Sequence, residues 1–299
     1  MRLLVTGGSG LLGFKVVSKA LDKGWDVIAT YNRHEIPIEH SRLRKVKIDI
    51  SNTVLLEDLI LKTQPEVIIH CAAYTDVDGC EVNRDYAWRV NVEATRSIVL
   101  ASRVVRSYLV HVSTDYVFDG EKGMYSESDV PYPLSFYGLT KLVAEQLVVN
   151  RDLLYCVVRP SATYGWGPGK RNFATFVVDK LSRGEVVKAV VDQFVSPTLN
   201  SLLADALIEI AELKPLGILH VAGERFSRYE FALKIAEKFD LPKENIVKAS
   251  IKDLSWRARR PRDSSLDISK ASRILSTKFS DTELALSIFR DEYMLNRGV

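Results

Sequence analysis

The sequence predicts an α/β protein built on a doubly wound parallel sheet, with a smaller C-terminal lobe. Three observations lead there. Strand and helix patterns alternate through the first half of the chain, which implies a parallel sheet with helices on both faces. Runs such as Val67-Ile68-Ile69 are apolar throughout, as suits strands covered on both sides. A glycine-rich turn, Gly7-Gly8-Ser9-Gly10-Leu11-Leu12-Gly13, separates the first strand pattern from the first helix pattern.

Taken in order, residues 2–6 form a short β-type run and residues 11–22 place apolar side chains at helical spacing. Strands are expected at 25–30 and 45–48, the second ending at Asp49. A helix at 53–62, a strand at 66–70, a long helix over 85–104 and a fifth strand at 108–113 follow. A helix at 137–149 and a sixth strand at 154–159 close the alternating half. The rhythm then breaks at the loop Gly165-Trp166-Gly167-Pro168-Gly169. Beyond it, 186–191 reads as a strand, 202–213 as a helix, 218–221 as a strand rejoining the main sheet, and 229–239 as an amphipathic helix. The expected organisation is a main domain over 1–159 with a return segment near 199–221, and a smaller lobe from 160–198 and 222–299. A ligand belongs between the lobes, beyond the C-terminal strand ends.

Composition narrows the class. The 299 residues are 46% hydrophobic and 26% charged, which suits a large globular core and excludes wholesale disorder. With 41 basic against 38 acidic residues, the balance points to neither nucleic acid nor a membrane surface. Cys71, Cys80 and Cys156 contain no CxxC pair, so they read as thiols of a reducing compartment rather than a disulfide framework or zinc site. The apolar run before Gly7 is too short for a signal peptide, and no run approaches the ~18 residues of a membrane span. The cytoplasm is the expected location.

Gly7, Gly10 and Gly13 have the spacing GxxGxxG. Glycines there allow a tight turn and let a dinucleotide pyrophosphate approach the backbone, at a helix N-terminus that offers N–H groups and partial positive charge. Ser9, Leu11 and Leu12 fall in the same turn; the plainer reading is an ordinary strand–helix connection. The second strand ends Ala29-Thr30-Tyr31-Asn32-Arg33, with no carboxylate before Glu35. An acidic residue at that end would bind the adenosine ribose of NAD(H). Asn32 and Arg33 suit a 2′-phosphate instead, so NADP(H) is expected ahead of NAD(H). A solvated surface arginine is the other reading of Arg33.

Tyr137 and Lys141 stand four residues apart and share a helix face. A free tyrosine has a pKa of about 10, and a nearby cation lowers it toward useful acid–base chemistry. An exposed surface pair is the bland alternative. Ser113 and Thr114 end the fifth strand, where either hydroxyl can meet a substrate carbonyl oxygen.

With these segments in hand, the chain resembles the extended short-chain dehydrogenases/reductases, and within them the dTDP-4-dehydrorhamnose reductase family. The segments are TGGSGLLG (6–13), CAAYTDVDGCE (71–81), STDYVFDG (113–120), YGLTK (137–141), DQFVSPT (192–198) and RRPRDSSLD (259–267). STDYVFDG is particular to that branch; the glycine turn and YxxxK are not. The resemblance implies a Rossmann-type sheet with a substrate-binding C-terminal lobe, and NADPH-dependent reduction of the C4 ketone of a nucleotide-linked 6-deoxy sugar. It makes Tyr137 the proton donor, has Lys141 lower the Tyr137 pKa and grip the nicotinamide ribose, and sets Thr114 on the carbonyl oxygen with Asp115 beside the substrate. It places Asp49 and Ile50 at the adenine, and Ala72, Ala73, Tyr74 and Ser113 along the cofactor. Asn91 then supports Lys141 through water, unless it is an ordinary polar helix residue. Within the basic run 257–262, Arg260 is the candidate grip on the substrate diphosphate, against a solvated face. A homodimer is also implied.

Two departures matter. Ala162 stands where these reductases carry a tryptophan beside the sugar, with Trp166 the candidate replacement. Lys15 stands where some members carry a glutamate that binds Mg²⁺, so no metal is expected there. A second resemblance, through residues 217–223, Tyr229-Glu230 and Arg260-Pro261-Arg262, is to the non-catalytic, NADP-binding regulatory subunit of methionine adenosyltransferase. Thr114 leans toward the reductase. Asp115-Tyr116 lacks the second acid of the related dehydratases. His70, His111 and His220 are expected in the core, and Trp25, Trp88 and Trp256 in packing. Residues 192–194 and 196–198 either touch substrate or form a turn.

Overall fold

The computed structural model describes residues 1–149, 153–169 and 171–297. In the first half the chain runs β1 (Arg2–Thr6), α1 (Leu11–Asp22), β2 (Asp26–Tyr31), β3 (Leu43–Lys47), α2 (Thr53–Thr63), β4 (Val67–His70), α3 (Val77–Val82) and α4 (Arg84–Trp88). A π-helical turn (Arg89–Glu93) leads into α5 (Ala94–Val105), then β5 (Tyr108–Val112), α6 (Phe136–Val148) and β6 (Tyr155–Arg159). The second half holds β7 (Ser161–Tyr164), α7 (Phe173–Leu181), β8 (Val187–Val190), β9 (Phe194–Val195), β10 (Pro197–Leu199), α8 (Asn200–Leu213) and β11 (Gly217–His220). It ends with β12 (Phe226–Ser227), α9 (Arg228–Lys238), β13 (Ile246–Ala249), α10 (Ser269–Ile274) and α11 (Thr282–Arg297).

Seven parallel strands form the central sheet in the order β11-β6-β5-β4-β1-β2-β3. The strands are apolar on both faces because both are covered. Leu3, Val5, Val67, Ile69, Val110 and Val158 pack with Val16, Val17 and Leu203 of α1 and α8. The alternate residues Leu4, Ile68, Leu109 and Val157 pack with Leu56, Ile60 and Ile98 of α2 and α5. The order reverses between β1 and β4, and that switch point opens a crevice at the C-terminal strand ends. The strand expected at 218–221 does rejoin the sheet, as β11 beside β6. Smaller pairings, β8 with β13, β7 with β10 and β9 with β12, stand beyond the sheet. Among the described residues no helix is long and apolar enough to cross a membrane.

Three local differences from expectation have physical causes. The single helix expected over 85–104 is interrupted by the π turn, which turns Asn91 inward to the backbone of Tyr74. A short helix, α3, forms at Val77–Val82 because Asp76 caps it by accepting from the Gly79 N–H. Asn172 and Thr175 form a reciprocal capping box that starts α7, in a stretch after the 165–169 loop where no element was expected.

Candidate active site

The C-terminal ends of β1, β2, β4 and β5 open onto a cavity of about 600 Å³. That lies within the range of small-molecule pockets, about 300–1,000 Å³. A separate depression of about 490 Å³ around residues 272–283 is shallow and gathers none of the expected chemistry.

The glycine turn forms one wall. Gly7 has φ +73°, and its carbonyl accepts from the Gly10 N–H at 2.9 Å. Helix α1 then begins with no side-chain cap and no acidic residue in its first turn. Its leading N–H groups and partial positive charge are therefore unopposed. Gly13 makes the close packing possible: a Cβ there would lie 2.2 Å from the Gly7 carbonyl oxygen. Gly13→Ala must push α1 off the turn. The expected result is at least tenfold weaker dinucleotide binding and roughly 1–3 kcal/mol lost from folding stability, checked by titration calorimetry and urea denaturation.

At the far end Asp49, Ile50, Asn32 and Arg33 line the same cavity. Burial works against the Asp49 carboxylate. The Ser51 N–H and hydroxyl, at 2.9 and 2.8 Å, the Asn32 side chain and the Arg33 charge outweigh it and hold the carboxyl below its ordinary value. Arg33 is exposed. Along the middle, Ala72, Ala73 and Tyr74 follow β4. Ser113 lines the cavity, and its Oγ is buried with no hydrogen-bond partner among the described residues. A helix start with free donors and an orphaned hydroxyl fit a dinucleotide.

Tyr137 and Lys141 lie one turn apart on α6, which Ser135 caps by accepting from the Gly138 N–H. Lys141 is buried; its Nζ donates to the Val112 carbonyl at 2.8 Å and lies 3.3 Å from His111 Nε2. Burial pulls its pKa down to about 8, against the raising influence of Glu145 and Cys71. The Tyr137 phenol is pushed up, chiefly by burial, with the Thr114 side chain acting to lower it. Burial is the largest influence on the Tyr137 phenol and acts to keep it protonated. Thr114 Oγ1 donates to Asp115 Oδ1 at 3.1 Å, and Ser161 and Ser264 donate to Oδ2 at 2.7 and 2.6 Å. Asp115 therefore ties the end of β5 to the start of β7 and to the C-terminal segment. Burial raises its carboxyl, while those three hydroxyls act to lower it.

Gly7, Ser9, Gly10, Leu11, Leu12 and Gly13 all border this cavity, as do Thr114, Asp115, Tyr137 and Lys141. Two expected residues do not. Asn91 is buried under the wall: it accepts from the Tyr74 N–H at 2.7 Å and donates to the Tyr74 carbonyl and to Thr140 Oγ1. It thus supports the residue beside Lys141, because the π turn aims it at α6. Arg260 stands behind the wall, its Nη2 on Asp78 at 2.9 Å and its guanidinium near the rings of Trp256 and Tyr116. Asp78 also accepts from the N–H groups of Arg257 and Ala258, so one carboxylate anchors this stretch of the basic run, while Arg260 Nη1 is buried with no hydrogen-bond partner among the described residues.

Other residues border the cavity without having been singled out: Arg228, Tyr116 and Asn172 among them. Arg228 is brought in by the capping box Ser227–Glu230, a signal present in the sequence but silent about direction. Ala162 lines the cavity with φ +42°, an unusual backbone for a non-glycine residue. Trp166 does not replace the missing indole, because it packs against Tyr293 with ring centroids 5.1 Å apart. Lys15 pairs with Glu292 at 2.8 Å. Residues 192–194 lie outside the wall, where the Asp192 carboxylate accepts from the Ser250 hydroxyl and the Ile251 N–H. His70, His111 and His220 are buried as expected, and burial holds each imidazole in its neutral form.

Residues 1–294 match the RmlD substrate binding domain family. A probable low-salt glycan biosynthesis reductase of Haloferax volcanii is 35% identical, with 90% of each chain covered. The dTDP-4-dehydrorhamnose reductase of Aggregatibacter actinomycetemcomitans is 34% identical over 97% of this chain and 98% of its own. Methionine adenosyltransferase 2 subunit beta of Bos taurus is 32% identical over 90% and 81%. Among solved structures, a hypothetical dTDP-4-dehydrorhamnose reductase from Sulfolobus tokodaii is 44% identical with a TM-score of 0.85, covering 96% of this chain and 99% of its own. A Bacillus anthracis dTDP-4-dehydrorhamnose reductase in complex with NADP is 29% identical, also at 0.85, over 97% and 99%. MoeE5 in complex with UDP-glucuronic acid and NAD is 26% identical at 0.83, over all of both chains.

Proposed function

The chain belongs to the RmlD substrate binding domain family, and on that premise we propose that it is an NADPH-dependent reductase of the C4 ketone of a nucleotide-linked 6-deoxy sugar. The observation that carries this reading is the meeting of Tyr137, Thr114 and Lys141 with the glycine turn on one cavity. Residues 7–13 would hold the pyrophosphate, Asn32, Arg33, Asp49 and Ile50 the adenosine, and Ala72, Ala73, Tyr74, Ser113 and Lys141 the remainder. NADPH bound there supplies the hydride. The buried, protonated phenol of Tyr137 is suited to give its proton to the forming alkoxide. Thr114 orients the carbonyl oxygen once the substrate competes with Asp115 for its hydroxyl. Arg228 meets the substrate from the smaller lobe, formed by 160–198 and 222–299, against a cofactor domain over 1–159.

The test is loss of NADPH absorbance on mixing purified protein with dTDP-4-dehydro-6-deoxy-L-mannose. Rapid turnover supports the reductase. Tight NADPH binding without turnover shifts the reading to a non-catalytic regulatory subunit, which the identity to methionine adenosyltransferase 2 subunit beta supports.

Cofactor preference rests on Arg33. An arginine fork suits a 2′-phosphate, and NADH lacks that group. Arg33→Ala is expected to weaken NADPH binding about tenfold, the low end for one hydrogen bond to a charged group, and to leave NADH unchanged. Equal losses for both cofactors in fluorescence titrations would remove Arg33 from that role.

A further inference from the structure

We propose that His111 is a positioning residue: its imidazole, inside the sheet, accepts a hydrogen bond at Nε2 and so holds the Lys141 ammonium at the edge of the cofactor cavity. The inference rests on the reading of that cavity as a dinucleotide site.

The geometry has one consistent assignment. Lys141 Nζ lies 3.3 Å from His111 Nε2 and 2.8 Å from the Val112 carbonyl. An ammonium only donates, so Nε2 carries the lone pair and Nδ1 the proton. Nδ1 is buried with no hydrogen-bond partner among the described residues. A buried donor left unpaired is costly, and its retention calls for a compensating role.

The neighbouring ring cannot relieve it. His70, 5.2 Å away between ring centroids, has both nitrogens engaged, Nδ1 with Thr6 Oγ1 at 2.7 Å and Nε2 with Thr95 Oγ1 at 3.1 Å. Thr95 gives its own proton to the Asn91 carbonyl, so His70 Nε2 is the donor there and Nδ1 the acceptor. Both rings therefore have settled tautomers, and burial keeps both neutral. His111 accepts a hydrogen bond from Lys141 without taking its proton.

Two acceptors on consecutive residues of β5 thus fix the ammonium from the sheet side. The groups facing Lys141 are His111 and the Val112 carbonyl from β5, His70 at the end of β4, Cys71 just after it, and Glu145 on its own helix, where Tyr137 lies one turn away. Burial already works to discharge Lys141, and losing an acceptor pushes the same way.

The experiment is the pH dependence of NADPH affinity, measured by calorimetry on the full chain and on H111L and H111Q. Wild-type affinity is expected to fall as pH rises through about 8. In H111L, which removes the acceptor, the fall should begin on the order of one pH unit earlier, equivalent to about a tenfold change in proton affinity. H111Q, whose amide oxygen can accept, should keep the wild-type profile. A second measurement needs no variant: ¹⁵N spectra of labelled wild-type protein should show His111 protonated at Nδ1. An H111L profile identical to wild type, an H111Q profile displaced as far as H111L, or a proton on Nε2 would each overturn the proposal. If H111L does not fold, the tautomer decides. Failure of the wild-type protein to bind NADPH sinks the cofactor reading instead, and absence of sugar turnover bears only on the reaction.

Discussion

Tyr137→Phe is expected to lower kcat for keto-sugar reduction by about 10²–10⁴-fold, while NADPH affinity stays within about threefold of wild type. The substitution removes one oxygen and little else. The ring sits with Cys80 and Ala87 and meets Tyr116 edge-on, contacts that phenylalanine keeps. What is lost is the proton. Because burial raises the Tyr137 phenol, the wild-type group is a neutral acid across the physiological range, as reduction requires. Steady-state rates and a separate NADPH titration check the two expectations. Undiminished turnover in the mutant would assign the proton to another group.

Glu145→Gln is expected to destabilise the fold by about 3–5 kcal/mol, the usual cost of leaving a buried charge unpaired. Arg159 and Glu145 are 1% and 0% exposed, and they meet through two hydrogen bonds of 2.9 and 2.6 Å. Arg159 Nη1 lies 3.2 Å from His220 Nε2, and His220 Nδ1 lies 2.9 Å from the Tyr125 carbonyl. Burial holds the His220 pKa down at about 3, so a neutral ring accepts from the arginine and donates to that carbonyl. The chain of bonds joins α6 to β6, β11 and the loop after β5. Removing the carboxylate alone strands the guanidinium. The double variant E145L/R159M, which removes both charges and fills the space, should lose much less. Urea denaturation of both variants checks the prediction, and a single variant as stable as wild type contradicts it.

Much of the fold was legible because its causes are local. Alternating apolar runs and helical spacing, with glycines between, lead to a parallel sheet with a tight turn after its first strand. The pairing of Tyr137 with Lys141 follows from helix geometry, and Thr114 from its place at a strand end. The interruption of the long helix at Arg89–Glu93 was not legible, because a π turn is stabilised by what Asn91 meets on another segment. Helix α7 was missed although its cap, Asn172, is present in the sequence, since the preceding glycine-rich loop masked the signal. Arg260 has the chemistry of a phosphate ligand, but that its Nη2 meets Asp78, 182 positions away, is visible only in the fold.

By itself, then, the sequence determined the sheet, the position of the glycine turn at the end of β1 and the placing of Tyr137 and Lys141 on one helix face. Each depends on periodicity or short spacing, and backbone sterics read such patterns directly. Only the tertiary structure decided which charges face the cavity, which way the Thr114 hydroxyl points, and how strongly burial acts on the Tyr137 phenol. Those properties arise from groups far apart in the chain meeting at low dielectric, where desolvation and partner choice outweigh the intrinsic chemistry of any single residue.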